Sequence, residues 1–148
     1  MSLESSHPVK LNDLYRDVIM DHYRRPRNKG TLPEPSVSVD LHNPVCGDEI
    51  TLQLVVEGDR IRQARFSGRG CSISQASASM MTQQLEGKTL AEAEDMIARF
   101  KQLMHGDEQA GETLGDLMAL HGVSKFPVRV KCALLSWEAL ERSLEQLR

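Results

Sequence analysis

Between Lys10 and Tyr23 the apolar side chains fall at Leu11, Leu14, Tyr15, Val18, Ile19 and Tyr23, the three-and-four spacing that lines one face of an α-helix. That helix has to end near Arg25, because Pro26 turns the residue before it away from helical geometry and has no N–H for the helical ladder. Asn12 or Asp13 suits its first turn. A basic, turn-rich connector follows, RRPRNKGTLPEP. The period then changes to two: Val37, Val39 and Leu41 face one way and Ser38, Asp40 and His42 the other, as in a half-buried strand. After the loop NPVCGDE the alternation returns at Ile50, Leu52, Leu54 and Val56, and Gly58-Asp59 has the composition of a two-residue hairpin turn. A third strand is expected from Arg60 to about Ser67, with Ala64 and Phe66 inward and Arg62 as a misfit. Three consecutive strands joined by short turns predict an antiparallel meander.

Everything beyond reads as helix. Ile73, Ala76, Met80, Met81 and Leu85 keep helical spacing up to the stop at Gly87. Thr89, with Glu92 three residues on, is a capping-box start for a helix carrying Leu90, Ala93, Met96, Ile97 and Phe100 to Met104. A short helix is expected at Leu114 to Leu120. The last helix carries Val130, Ala133, Trp137, Leu140, Leu144 and Leu147, and Pro127 suits its first turn. The fold class is therefore α+β: an N-terminal helix, a three-stranded antiparallel sheet, then helices packed on the sheet. No internal repeat divides the sequence, so residues 1–148 read as a single domain with residues 1–9 as a flexible terminus.

Composition narrows the function classes. Eighteen Lys and Arg stand against 21 Asp and Glu, a net charge of −3 that offers nucleic acid no general attraction. No apolar run approaches the about 18 residues of a membrane span, and MSLESSHPVK lacks the apolar centre of a secretory signal. The expectation is a cytoplasmic protein with neither nucleic acid nor membrane as partner. A chain of 148 residues buries roughly 68–70% of its unfolded surface, so a metal would serve chemistry rather than folding. Three cysteines cannot all pair, and in a reducing compartment they read as ligands, nucleophiles or buried thiols.

Each cysteine falls at the end of an element. Cys46 lies in the loop between the first two strands, before Gly47 and Asp48. Cys71 opens a helix, where unpaired amides and the helix dipole favour a thiolate. Cys132 lies in the first turns of the final helix, next to Lys131 and near Arg129, whose positive charge is expected to favour the anion as well. No local CxxC pair is present. Three thiolates and the Asp48 carboxylate would supply four donors to a tetrahedral ion; the alternative is that the thiols pack separately as small hydrophobes.

The stretches NPVCGDE, GRGCSISQASAS and FPVRVKCALLSW, with DHYRRPRNKG at the end of the first helix, resemble the cysteine motifs and N-terminal signature of the IscU/NifU N-terminal iron-sulfur assembly scaffolds. The resemblance runs roughly from Leu11 to Leu147. It implies an IscU-like sandwich in which Cys46, Asp48, Cys71 and Cys132 line one exposed site for a metal or nascent cluster. IscU proteins carry His just before the third cysteine, where this chain has Lys131, and the stretch containing GDLMALHG is longer than theirs. Both departures resemble the SufU branch, whose members are zinc-dependent sulfur acceptors serving a cysteine desulfurase of the SufS type. An ammonium cannot ligate a metal as imidazole does. The implied activity is a zinc-dependent sulfurtransferase with Cys46 as the persulfide acceptor, since its loop beside Gly47 lets it leave the metal and swing toward a partner. The alternative is a scaffold that binds iron and assembles a transient 2Fe-2S cluster for a downstream scaffold or apoproteins. A purely structural zinc module is the third reading.

Other signals are weaker. In the string Gly68-Arg69-Gly70-Cys71-Ser72-Ile73, Ile73 stands where a dinucleotide fingerprint needs its third glycine. Of the five histidines, His22 lies close to the inward stripe of the first helix and reads as a satisfied core or surface residue. A protease-like Cys-His pair has no accompanying oxyanion cue. Met80, Met81, Met96 and Met104 suit core packing. The cluster Arg24, Arg25, Arg27 and Lys29 is a solvated face or a docking surface for an acidic partner. Arg129 and Lys131 either tune the thiolates and guide a persulfide or lie on the outer face of the last helix.

Overall fold

The computed structural model describes residues 15–148. The expected flexible terminus and the first turn of the opening helix lie outside the described residues. The chain is helical over residues 15–24 (α1) and leaves the helix at Arg25, as Pro26 requires. Val18 and Ile19 pack on the core and His22 is buried. The connector then runs along the free edge of the sheet: Gly30 N–H donates to Phe66 O at 2.8 Å, and Phe66 N–H donates to Asn28 O at 3.0 Å. These bonds cover backbone groups that an open edge would leave unpaired.

The sheet is the expected antiparallel meander, β1 (Val37–Asn43), β2 (Asp48–Glu57) and β3 (Arg60–Arg69), in the order β1-β2-β3. Val37, Val39, Ile50, Leu52, Leu54, Ile61, Ala64 and Phe66 form its buried face. The misfit at Arg62 is a register shift. Val55 pairs with Gln63 but Val56 pairs with Ile61, so Arg62 is the extra residue of a β-bulge and Ile61, not Arg62, points inward. The third strand also runs to Arg69, two residues beyond the expected end.

Helix α2 (Ser72–Leu85) departs from a one-sided pattern, for it is buried nearly all round from Ser74 to Thr82. Its hydroxyls go inside because each finds a partner: Ser77 Oγ donates to Ala133 O at 2.7 Å and accepts from Trp137 Nε1 at 3.1 Å, while Thr82 Oγ1 donates to Ala78 O at 2.9 Å. Helix α3 (Leu90–Met104) starts on the expected capping box of Thr89 and Glu92. Between α3 and α4 the structure has two 3₁₀ segments, Glu108–Thr113 and Gly115–Lys125, rather than one short helix at Leu114 to Leu120. The reason lies in the period. Leu114, Leu117, Leu120 and Val123 are buried at every third residue, the repeat that stacks on one side of a three-residue turn.

Helix α4 (Pro127–Leu147) lies across β1 and β2 and packs on α2. Trp137 stacks on Phe100 of α3 with ring centroids 4.5 Å apart. Among the described residues no helix is long and apolar enough to cross a membrane.

Candidate metal centre

The turn between β1 and β2 is built by Asn43, whose side-chain oxygen accepts the Val45 N–H at 3.1 Å and whose carbonyl accepts the Gly47 N–H at 2.8 Å. Gly47 sits at φ +73°, a left-handed geometry that glycine adopts without cost from a Cβ. The turn holds Cys46 half-exposed and delivers Asp48 as the first residue of β2, fully buried. Asp48 Oδ1 accepts the backbone N–H of Cys71 at 3.0 Å, at the residue that caps α2. Gly70 permits this approach, because a Cβ there would lie 2.5 Å from Asp48 Oδ1. Asp48 Oδ2 is buried without any hydrogen-bond partner.

Cys132 reaches the same point from α4. Its Sγ lies 3.1 Å from Cys46 Sγ and 3.6 Å from Val128 O. One ligand atom each from Cys46, Asp48 and Cys132 falls within 4.8 Å of the others. Cys71 stays outside that group, yet its thiol is close enough to Cys132 to disfavour a thiolate there. The expectation that Arg129 and Lys131 favour a Cys132 anion is overturned. Both cations are exposed, whereas the Cys132 sulfur is buried, and burial, with the neighbouring Cys46 and Asp48, pushes its thiol far up from the ordinary value.

A buried carboxylate oxygen without a partner costs free energy, and a cation bound against it removes that cost. Two thiols and one carboxylate are a donor set that fits zinc or ferrous iron. Cys71, half-exposed at the start of α2, is the nearest source of a further sulfur ligand.

Beside Cys71 a groove of about 610 Å³ opens between α1 and the second 3₁₀ segment, with Ile19, Ile73, Val123, Phe126, Arg16 and Arg129 among its walls. Sequence reasoning missed it. Its visible signals are apolar residues where a surface is expected: Phe126 just before Pro127 is 59% exposed, Val128 56% and Val45, in the cysteine turn, 71%. Gly70 was also missed as a site residue, although its place directly before Cys71 marks a close approach.

His22 is a satisfied core histidine, bonded to Ser79 Oγ at 2.8 Å and Asp116 Oδ2 at 3.0 Å. Much of the basic cluster is engaged internally: Arg25 and Arg27 pair with Asp21, and Lys29 donates to Gln75 at 3.3 Å. Lys131 lies on the outer face of α4, while Arg129 lines the groove.

A family profile described as the NifU-like N terminal domain matches residues 14–133. The chain belongs to that family. Cys46, Asp48, Cys71 and Cys132 all lie in the matched stretch. Among relatives of this NifU-like chain, the zinc-dependent sulfurtransferase SufU of Bacillus subtilis (strain 168) is 53% identical over 140 residues, covering 94% of this chain and 95% of that one. The iron-sulfur cluster assembly scaffold protein IscU of Streptococcus pyogenes serotype M1 is 42% identical over 138 residues, covering 93% and 86%. The crystal structure of the N-terminal part of a nitrogen-fixing NifU-like protein from Brucella abortus has the same fold, with a TM-score of 0.82 at 22% identity over 93% of this chain and 96% of that one.

Proposed function

We propose that this NifU-like chain, as one domain, is a zinc-dependent sulfurtransferase of iron-sulfur cluster assembly, working in the cytoplasm between a SufS-type cysteine desulfurase and downstream scaffold or apoproteins. The observation that carries the reading is the group of Cys46, Asp48 and Cys132, in which the half-exposed member is a thiol on a turn and the buried carboxylate keeps one oxygen without a partner. Cys46, Asp48 and Cys132, joined by Cys71, would hold the metal. Bound zinc supplies thiols that are deprotonated and ordered.

Cys46 is the sulfur acceptor. Cys132 is buried on α4, and Cys71 caps α2 with its N–H held by Asp48 Oδ1, whereas the turn beside Gly47 can move Cys46 outward. The Cys46 thiolate attacks the terminal sulfur of the donor's persulfide. A new S–S bond forms on Cys46 as the donor's S–S bond breaks, and the donor cysteine leaves as a thiolate, so no net oxidation occurs. The 53% identity to a zinc-dependent sulfurtransferase supports this reading.

The scaffold reading, in which iron and sulfide assemble as cargo on the same residues, draws support from the IscU relative. Lys131, exposed on the outer face of α4, offers no ligand to either reading. Metal and acid-labile sulfide analysis of protein purified without oxygen tests the choice. About one zinc per chain without sulfide is expected for the four-donor site; iron and sulfide in equal amounts would establish the scaffold instead.

A further inference from the structure

The groove beside Cys71 has a chemical character that the chain as a whole lacks. The protein carries a net charge of −3, yet no Asp or Glu lines the groove among the described residues. Its charged residues are Arg16 from α1 and Arg129 from α4. Its walls are otherwise mostly apolar, and its volume of about 610 Å³ is that of a pocket receiving a few side chains.

The groove continues into an apolar collar around the sulfur atoms. Among the described residues four large hydrophobic side chains are exposed, and three of them, Val45, Phe126 and Val128, surround the site. Val45 precedes Cys46 in the turn. Val128 presents its carbonyl 4.0 Å from Cys46 Sγ and 3.6 Å from Cys132 Sγ, and Phe126 forms a groove wall. Exposed apolar residues gathered in one place mark an interaction surface, whereas scattered ones do not. The fourth, Tyr23, lies one turn from the groove residue Ile19 on α1.

The charge pattern says what fits. A segment that buries an apolar side chain against Ile19, Ile73 and Phe126 brings its neighbours to Arg16 and Arg129, where carboxylates gain a charge-assisted contact and amines are repelled. We propose that this groove is the docking site for the protein that donates sulfur, and that it recognises on that partner an apolar side chain flanked by carboxylates. The inference rests on the proposed sulfurtransferase reading and names how that reaction selects its donor. Docking there places the partner against Cys71 and beside Cys46, while both arginines steer an acidic surface toward the thiols.

The test separates binding from transfer. The full chain is titrated with a cysteine desulfurase whose persulfide-forming cysteine is replaced by Ala, and the Kd is read by calorimetry for the native chain, Arg16→Glu with Phe126→Ala, and Arg62→Glu on the distant β-bulge. Circular dichroism checks that each variant is folded. The groove variant is expected to weaken binding about tenfold and to reduce its salt dependence, with Arg62→Glu unchanged. Binding within about twofold of the native value for the groove variant, or an equal loss for Arg62→Glu, overturns the docking inference. Persulfide uptake by the native chain is measured separately with the intact desulfurase. Uptake with an unaffected groove variant defeats the docking inference alone, whereas absence of both uptake and binding in the native chain defeats the sulfurtransferase reading with it.

Discussion

A Cβ on Gly70 would crowd both Ser74 Oγ and Asp48 Oδ1, so any larger residue there has to displace the carboxylate or the start of α2. The Asp48 carboxylate is held from both sides: the turn at residues 43–47 brings it in, and the Cys71 N–H fixes one oxygen and leaves the other open. Removing such an orienting contact typically costs a metal site about 10–100-fold in affinity. Gly70→Ala is expected to lower zinc affinity by that order in competition with a chromophoric chelator. Unchanged affinity would mean that Asp48 does not take part in binding. At the same scale Cys132 explains why a sequence of neighbours misleads about charge. Arg129 and Lys131 flank it in the chain but stand on the exposed side of the helix, while its own sulfur faces Cys46 and the core.

At the scale of elements, the N-terminal helix is tied to the connector by Asp21, which accepts from Arg25 at 2.5 Å and from Arg27 at 2.8 Å. Arg25 first and Arg27 next hold its carboxyl down from 3.8 to about 2. A depressed folded pKa stabilises fully above the unfolded value and is lost as pH falls through the folded one. The Tm difference between the native chain and Asp21→Asn, followed by circular dichroism, should therefore be small and constant near neutrality and should shrink below about pH 4. A difference that grows on acidification would contradict the assignment. Elements with local causes were legible in the sequence: the Pro26 stop, the Gly58-Asp59 hairpin, the Thr89–Glu92 cap and the Pro127 start. The Arg62 bulge was not, because it depends on how β3 registers with β2. The buried serine face of α2 was not legible either, since its partners His22, Ala133 and Trp137 lie more than 50 residues away. The approach of Cys132 to Cys46 spans 86 residues and follows from α4 docking on the sheet; in the sequence the donor chemistry of three cysteines and Asp48 left it open, and the family resemblance pointed to it.

For the whole molecule, the sheet, α2, α3, α4 and the second 3₁₀ segment share one hydrophobic cluster, with Trp137 and Phe100 stacked inside it. The candidate metal residues Cys46, Asp48 and Cys132 are not among the residues of that cluster. Chelation should leave the far-ultraviolet circular dichroism spectrum and a cooperative melt in place while lowering Tm, since a ligand that binds only the folded state adds stability without being required for folding. Unfolding on chelation would favour a structural zinc module. The central claim is that Cys46 receives sulfur from a partner's persulfide. Its most direct measurement is intact-protein and peptide mass spectrometry after incubation with a cysteine desulfurase and cysteine, comparing the native chain with Cys46→Ala. The account predicts a gain of one sulfur atom on the peptide containing Cys46 and none in the variant. Sulfur on Cys71 or Cys132 alone, or equal uptake by Cys46→Ala, would contradict it.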